Sequence, residues 1–375
     1  MVGKSRSQHP IDRFEVYVYL RSDRLHILKE KDEMKWILLS LILFSQSLLS
    51  QDSGAIRRII AFYNLENLFD TIDHPDTYDE DYTPSGKLNY TSIDYWRKLR
   101  GLSSVISDIG NRGDSSGPHI LGVSEVENRQ VLEDLISQPG LDSLPYAIAH
   151  MDSPDLRGID VALIYREDLF FPLSYEAFEV PLWDESGQRI YTRDVLWVYG
   201  ILDAEEIHLL VNHWPSRRGG ASRSSPRRMK AAYVNKKIVQ RIRSENSNPK
   251  ILIMGDFNDD PTDKSLVQGL GCQSGKRLDS SGIFSPMIRL YKRGYNTLVY
   301  RDQIHLFDQI LLSGNFIDSD SDDGFRFARA SVYNPPRLHV REGKYEGYPN
   351  RSFQNGKYAG GFSDHFPVFV ELIKD

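Results

Sequence analysis

Short apolar segments, separated by polar and glycine-containing stretches, restrict the fold of this chain most. Their length of about 4 to 8 residues is typical of buried β-strands rather than of helices. The segments are Arg58 to Tyr63, His119 to Ser124, Asp160 to Tyr165, Leu196 to Leu202, His208 to Asn212, Lys250 to Met254, Gln309 to Leu312 and Phe366 to Leu372. The sequence from 55 to 375 is therefore rich in β-sheet, and no repeat or obvious linker divides it.

Polar residues mark the ends of these strands, where a buried strand does not need them. Those at carboxyl ends are Asn64, Glu66, Glu125, Glu127, His213, Asp256 and Asn258, and those at amino ends are Asp160, Asp308, Asp364 and His365. If all of them meet at one rim, the two groups of strands must run antiparallel to each other. A purely parallel sheet would scatter these residues, so the pattern favours mixed sheets. Taken singly, each residue could also be a turn former, a solvated loop acid or a cap.

Two helical patterns lie between the strands and place the chain in the α/β or α+β class. The first apolar stripe follows a Thr91/Ser92 cap, and the second follows Ser225-Pro226. The stripes are Ile93, Trp96, Leu99, Leu102, Val105 and Ile109, and then Ala231, Val234, Ile238 and Ile242. The stretch from about 320 to 361, rich in Gly, Tyr, Asn and Arg, predicts a long ordered loop close to a site.

Charge and cysteine content limit the binding partners. The net charge of -6 gives no overall attraction to nucleic acid or to an acidic membrane, so anion binding requires a local basic patch. Such a patch lies between His213 and Glu245, where Arg217 and Arg218 are predicted to bind substrate phosphate. Residues 236 to 243 are expected to form a solvated helix face. The single cysteine, Cys272, excludes an intramolecular disulfide and a Cys-rich metal site.

The segment MKWILLSLILFSQSLLSQ, residues 34 to 51, has the layout of a secretory signal peptide. Its apolar core is shorter than the roughly 20 residues of a typical transmembrane helix. A short membrane anchor or a buried core helix is the alternative. We therefore predict a mis-assigned start or long n-region over 1–33, a signal peptide over 34–50 and a folded domain over 55–375. The mature protein is expected to be secreted or periplasmic, with no transmembrane segment.

Several motifs resemble the endonuclease/exonuclease/phosphatase superfamily, which has the deoxyribonuclease I-like fold. In chain order they are FYNLENLFD, GVSEVEN, RGIDVALIYR, VNHWPSRRGG, MGDFNDDP, FDQILLS and GGFSDHFPV. The spellings NHWPSRRGG and GKYEGYPNRSF are especially similar to a secreted bacterial branch of that family. The resemblance covers essentially all of 55–375. It implies a four-layer sandwich of two packed mixed β-sheets flanked by helices, with the site on one rim.

The resemblance also implies a metal site. Glu125 would be the principal ligand, with Asn64 beside it and Asp364 able to complete the coordination shell or hold a bound water. Oxygen ligands of this kind suit Mg²⁺ or Mn²⁺.

The same resemblance implies catalytic roles. His365 is the expected general base, oriented by Asp308 rather than by its neighbour Asp364, since adjacent side chains in an extended chain point to opposite faces. Asp256 would position water or a metal, and Asn258 would donate to a charged oxygen. Finally, His213 would bind a phosphoryl oxygen or protonate the leaving group, with Asp160 as its partner.

These roles point to a metal-dependent phosphodiester hydrolase, expected to be a monomeric secreted endonuclease acting on nucleic acid. The alternatives are a phosphatase or phospholipase C-type hydrolase acting on inositol phosphates or phospholipid headgroups, and a catalytically inactive binding module. Ser124 stands where many nucleases of the family have Gln, which leaves the substrate open. No exposed aromatic hairpin is evident in the sequence, and this disfavours the lipid substrate.

Overall fold

The computed structural model describes residues 55–110, 117–275, 278, 282–317 and 324–375. The predicted n-region and signal peptide, 1–33 and 34–50, lie outside these residues and stay predictions. Among the helices that are described, none has the length and apolar character needed to cross a membrane.

Strands dominate the described chain. In chain order they are β1 (Ile56–Leu68), β2 (Ile120–Val126), β3 (Tyr146–His150), β4 (Asp160–Arg166), β5 (Phe170–Phe178), β6 (Leu182–Trp183), β7 (Arg189–Ile190), β8 (Val195–Leu202), β9 (Glu205–His213), β10 (Lys250–Asp256), β11 (Cys272–Gln273), β12 (Ile283–Phe284), β13 (Leu298–Tyr300), β14 (Gln303–His305), β15 (Asp308–Ser313), β16 (Arg326–Val332), β17 (Phe353–Gln354), β18 (Lys357–Tyr358) and β19 (Val368–Lys374). Each strand predicted from the sequence overlaps one of these.

The strands form two large mixed sheets. The first has six strands in the order β16-β19-β1-β2-β4-β3, and the second has seven in the order β11-β12-β15-β10-β9-β8-β5. In the first, β1 and β2 are parallel while β19 and β4 run antiparallel to them. In the second, β9 and β10 are parallel while β15 and β8 are antiparallel. The prediction of mixed rather than parallel sheets is confirmed.

The two sheets pack face to face, with helices on the outside. Gly122 of the first sheet lies against Met254 of the second, and a Cβ at Gly122 would be 2.6 Å from the Met254 sulfur. The helices are α1 (Ser92–Ile106), α2 (Arg129–Ile136), α3 (Ala221–Glu245) and α4 (Met287–Lys292). In the core, α1 packs through Leu99 and Leu102 with the first sheet, and α3 packs through Ile238 against Ile251 of the second. The fold is therefore the four-layer sandwich that the sequence predicted.

Of the two helix starts predicted from capping residues, the first is confirmed and the second is wrong. Thr91 caps α1 and forms a capping box with Asp94. The helix predicted to follow Ser225-Pro226 is α3, which begins at Ala221 instead, so Pro226 lies inside it. The helix begins earlier because the turn before it is made by Gly219 and Gly220, which both adopt positive φ, at 83° and 107°.

Several strands and helices were not predicted from the sequence. The strands β3, β5 and β16 and the helix α2 were not predicted, and β16 occupies part of the expected loop at 320–361. Strand β16 is at the edge of its sheet and is mostly half-buried, so RFARASV lacks the apolar run of a central strand. Ile93 and Trp96, placed in the stripe of α1, are 70% and 39% exposed.

Gly255 has a packing role rather than a turn role. It lies within β10, and a Cβ there would be 2.4 Å from the Asn212 carbonyl oxygen of β9. Backbone atoms of a paired strand cannot move aside cheaply. The absence of a side chain at 255 therefore lets β9 and β10 approach each other and keeps Asp256 in register with His213.

We predict that Gly255→Ala lowers the free energy of unfolding by about 1–3 kcal/mol, because the added methyl overpacks the contact between β9 and β10. The matched control is Gly101→Ala in α1, where a Cβ would be 3.5 Å from the Phe362 ring. This control should raise stability by about 0.5–1 kcal/mol, since alanine is the better helix former. Urea unfolding of both variants checks the prediction, and equal effects would contradict it.

Candidate active site

Strand register brings the predicted polar residues of the second sheet side by side. Asp256, the last residue of β10, pairs with His213 of β9 on one side and with Asp308 of β15 on the other. Because β15 is antiparallel to β10, its first residue reaches the rim where β9 and β10 end. An imidazole and two carboxylates from three neighbouring strands therefore share one edge.

Contacts across the rim join this edge to the first sheet. The Asn64 amide donates to Asp256 Oδ2 at 3.2 Å. His213 Nε2 lies 3.6 Å from Asp256 Oδ2 and 3.8 Å from Glu125 Oε1. Asn64 and Glu125 lie in the carboxyl-terminal parts of the parallel strands β1 and β2, so the carboxyl ends of four strands converge at this point.

His365 is oriented by Asp308. Its Nδ1 lies 2.6 Å from Asp308 Oδ2, and both residues are buried. The adjacent Asp364 lies nearer the other ring nitrogen, with its Oδ1 4.0 Å from His365 Nε2. Its Oδ2 accepts from Arg351 at 3.1 Å. Burial alone would lower the pKa of His365, but the Asp308 carboxylate, with Asp256 and Asp364, raises it well above its usual value.

Burial sets the protonation of the other two groups at the rim. Desolvation raises the pKa of Asp256 to about 7, with Asp308 adding to the effect and His365 opposing it. Burial likewise lowers the pKa of His213 well below its usual value, with Arg193 and Arg157 contributing. His213 is therefore a neutral imidazole at neutral pH, which can donate one hydrogen bond to an oxygen but carries no charge.

The expected pairing of His213 with Asp160 is wrong. Asp160 Oδ2 lies 3.0 Å from His150 Nε2, and Oδ1 accepts from the backbone and hydroxyl of Ser153. Within the described part of the chain, His213 Nδ1 has no hydrogen-bond partner. The error follows from the missed strand β3, since His150 is its last residue and lies beside Asp160 through the pairing of β3 with β4.

The GDFN turn and the loop after β9 support each other. Asn258, with φ of 50°, donates its side-chain amide to the Trp214 carbonyl at 3.0 Å. Arg217 donates to the Asn258 carbonyl at 2.8 Å and to Asp263 at 2.7 Å, and Arg218 is exposed. These contacts hold the ends of β9 and β10 together, and the roles of Asn258, Arg217 and Arg218 toward phosphate stay predictions.

A second layer of charged residues surrounds the rim, and two of its members, Lys98 and Arg351, were not predicted from the sequence. Lys98 of α1 is fully buried and donates to the carbonyls of Glu66 and Asn67. Glu66 is buried as well and accepts from Arg351 at 3.3 Å, and burial raises its pKa to about 7. Glu66, Asn67 and Glu125 adopt φ of 46°, 51° and 59°, a region that non-glycine residues rarely occupy. The position of Lys98 directly before Leu99 of the apolar stripe gave no clear sign that this lysine is buried.

The residues present fit a divalent metal ion. Ligand atoms of Asp256, Asp308 and His365 lie within 4.8 Å of one another. Asp308 Oδ1 is buried with no hydrogen-bond partner among the described residues, so one carboxylate oxygen is uncompensated. Glu125 adjoins this group through His213, and Asp364 adjoins it through His365. A mainly carboxylate donor set of this kind suits a hard cation. The specific ligand set of Glu125, Asn64 and Asp364 stays a prediction.

Known structures share this fold. An endonuclease/exonuclease/phosphatase family protein from Bacteroides thetaiotaomicron is 16% identical, with a TM-score of 0.53 over 86% of this chain and 96% of that one. The D. rerio TDP2 complexed with single strand DNA product is 15% identical, with a TM-score of 0.51 over 84% and 98%. A mannosyl-6-phosphatase from B. thetaiotaomicron is 17% identical, with a TM-score of 0.51 over 84% and 99%.

Sequence comparison gives the family. No curated protein matches the chain by sequence. The model of the Endonuclease/Exonuclease/phosphatase family matches residues 59–374, which include every residue of the rim described above. The match covers most of the chain and agrees with the fold and with the buried acidic and imidazole cluster. The chain belongs to the endonuclease/exonuclease/phosphatase family and has the fold of its phosphoesterases.

Proposed function

We propose that this protein is a metal-dependent phosphodiester hydrolase that cleaves nucleic acid after export from the cytoplasm. The observation that carries the proposal is the hydrogen bond of 2.6 Å between His365 and Asp308, placed beside Asp256 on a rim that also holds Asn64 and His213. An oriented imidazole next to a second buried acid and two neutral donors is what hydrolysis of a phosphate ester requires.

The residues divide the work of the reaction. The reaction requires the neutral form of His365, although the acids around it raise its pKa in the metal-free protein, and a cation at this rim would oppose those acids. The neutral imidazole donates through Nδ1 to Asp308 and leaves Nε2 to accept a proton from an attacking water. The Asp308 carboxylate then stabilises the imidazolium. Asp256 holds the water, and the Asn64 amide and the neutral His213 imidazole donate to phosphoryl oxygens. A Mg²⁺ or Mn²⁺ ion held by Glu125, with Asn64 and Asp364, would neutralise charge on the phosphate.

The choice of a diester rests on the surroundings of the rim. Arg351 contacts Asp364 and lines an open pocket together with Arg301 and Lys344, so cations continue past the reacting centre. A polymer with repeated phosphates would use them, and TDP2 of the same fold is known with a single-strand DNA product. The second candidate is a phosphomonoesterase, because a mannosyl-6-phosphatase shares this fold at the same level of similarity.

We expect the purified chain to nick supercoiled plasmid in Mg²⁺ or Mn²⁺ and to lose this activity in EDTA. His365→Ala and Asp256→Asn should each lower kcat by about 10²–10⁴-fold, because they remove the proton acceptor and the group that positions water. The matched control is Asp142→Asn, which changes an exposed acid away from the rim. Nicking that survives EDTA, or that persists in both rim variants, would contradict the proposal, and exclusive release of inorganic phosphate would favour the phosphatase.

The pKa of His365 reports directly on the role of Asp308. Asp308→Asn removes the carboxylate that raises the pKa of His365, so the pKa of this imidazole should fall markedly in the metal-free protein. NMR titration of the His365 ring resonances measures the change, and Asp142→Asn again serves as the control. An unchanged pKa would show that Asp308 does not set the protonation of His365.

A further inference from the structure

A pocket of about 610 Å³ opens beside the candidate active site. One wall is the hairpin of β13 and β14, and the other comes from the segment 340–355, which contains GKYEGYPNRSF. Arg351 lines the pocket and also binds Asp364 at 3.1 Å, so the two sites share this side chain. Whatever occupies the pocket therefore lies next to the group being hydrolysed.

Both walls are anchored to the catalytic centre. At the base of the hairpin, Thr297 Oγ1 accepts from the Asp308 N–H at 3.2 Å, and the Thr297 carbonyl accepts from the Phe366 N–H at 2.8 Å. On the other wall, Arg351 and the backbone of Ser352 bind buried Glu66. The position of the pocket is thus fixed relative to His365 and Asp308 by hydrogen bonds on both sides.

The hairpin tip is preformed. Arg301 and Asp302 make its two-residue turn with φ of 50° and 64°, the left-handed conformation that tight hairpins require. Tyr348 of the opposite wall holds this turn, because its hydroxyl donates to the Asp302 carboxylate and accepts from the Asp302 N–H at 3.0 Å. The pocket therefore does not need to be assembled when a ligand arrives.

Exposed tyrosines and cations alternate around the opening. Tyr300 is 58% exposed and Tyr345 is 51% exposed. The Arg301 guanidinium lies 5.2 Å from the centre of the Tyr300 ring, and the Lys344 ammonium lies 5.3 Å from that of Tyr345. Tyr345 also packs against Tyr348, with ring centres 5.4 Å apart. Since about half of each ring is exposed, Tyr300 and Tyr345 both retain surface on which a base could stack. Contrary to the sequence analysis, an exposed aromatic hairpin is present.

The charge of the pocket opposes that of the whole chain. Arg301 and Lys344 line it, together with Arg351, whose charge is already paired with Asp364 and Glu66. Asp302, bound by Tyr348, is the one acid among its lining residues. In a protein with a net charge of -6, this is a local site for an anion. Aromatic faces combined with cations along a groove are how proteins hold unpaired nucleic-acid strands.

We propose that this pocket binds the single-stranded segment next to the scissile phosphodiester, with Tyr300 and Tyr345 stacking on bases and Arg301 and Lys344 pairing with backbone phosphates. The assignment rests on the proposed nuclease function and specifies its substrate as an unpaired strand. It also gives the pocket a role separate from chemistry, because none of these four side chains belongs to the rim that holds His365.

The test compares binding with hydrolysis in the full chain. Binding of a fluorescent single-stranded DNA 12-mer is measured in EDTA for Tyr300→Ala, Tyr345→Ala and Lys344→Gln. The matched controls are Tyr175→Ala on β5, where the tyrosine is 46% exposed, and Lys236→Gln on α3. Hydrolysis in Mg²⁺ is followed on the same 12-mer and on methyl 4-nitrophenyl phosphate, a diester without a strand to bind. Thermal melting verifies that each variant is folded.

Each tyrosine variant should weaken 12-mer binding by about 5- to 100-fold, since stacking is lost, and should raise KM for the 12-mer. Lys344→Gln should reduce the slope of log Kd against log salt by about 0.7. Both control variants should bind and cleave the 12-mer as the wild-type protein does. In all variants, kcat/KM for methyl 4-nitrophenyl phosphate should stay the same.

Other outcomes overturn the assignment in distinguishable ways. If the unchanged protein cleaves DNA but the tyrosine variants bind and cleave the 12-mer normally, the pocket inference fails alone. Should the protein hydrolyse only the small diester or mannose 6-phosphate, the nuclease function fails and the strand assignment fails with it. Loss of sedimentation with phosphatidylserine vesicles in the tyrosine variants, with 12-mer binding intact, would assign the hairpin to a membrane surface instead.

Discussion

The cost of burying carboxylates governs the rim of this protein. Asp256 and Asp308 are almost completely removed from water on neighbouring strands, where like charges repel each other and desolvation disfavours the ionised form. His365, which is hydrogen-bonded to Asp308, and the Asn64 amide, which donates to Asp256, offset part of this cost. Among the residues that the structure describes, one carboxylate oxygen of Asp308 still has no hydrogen-bond partner. Binding of a cation at this site would therefore be favourable, because the cation would offset the charge of the buried carboxylates.

Topology makes this concentration of charge possible. A parallel pair of strands in each sheet delivers carboxyl ends to one rim, and antiparallel neighbours deliver the amino ends of β15 and the segment before β19 to the same place. Gly255 contributes by allowing β9 and β10 to approach, so that His213 and Asp256 stay in register.

Sequence reasoning succeeded where a pattern is local and failed where a partner is distant. Central strands are visible in the sequence as apolar runs. The two-residue period of an extended chain was the reason for setting Asp364 aside as the partner of His365, but both residues lie in a bend before β19. Edge strands such as β5, with exposed Phe171, carry no such run. The hydrogen bond from Arg351 to Glu66 joins residues separated by 285 positions, and no period connects them. Asp160 was misassigned for the same reason, because its partner His150 belongs to a strand that had not been predicted.

In the proposed function, the residues that bind the substrate strand and those that carry the chemistry lie in different parts of the molecule. The sheets fix the acids and imidazoles of the rim. The hairpin at Arg301 and the segment around Tyr345 come from loops, and loops can change without disturbing the sandwich. Yet Thr297 and Arg351 tie these loops to Asp308 and Asp364. Through these ties, a strand held by the tyrosines would present its phosphodiester to His365 at a defined distance, so binding outside the rim contributes to orientation within it.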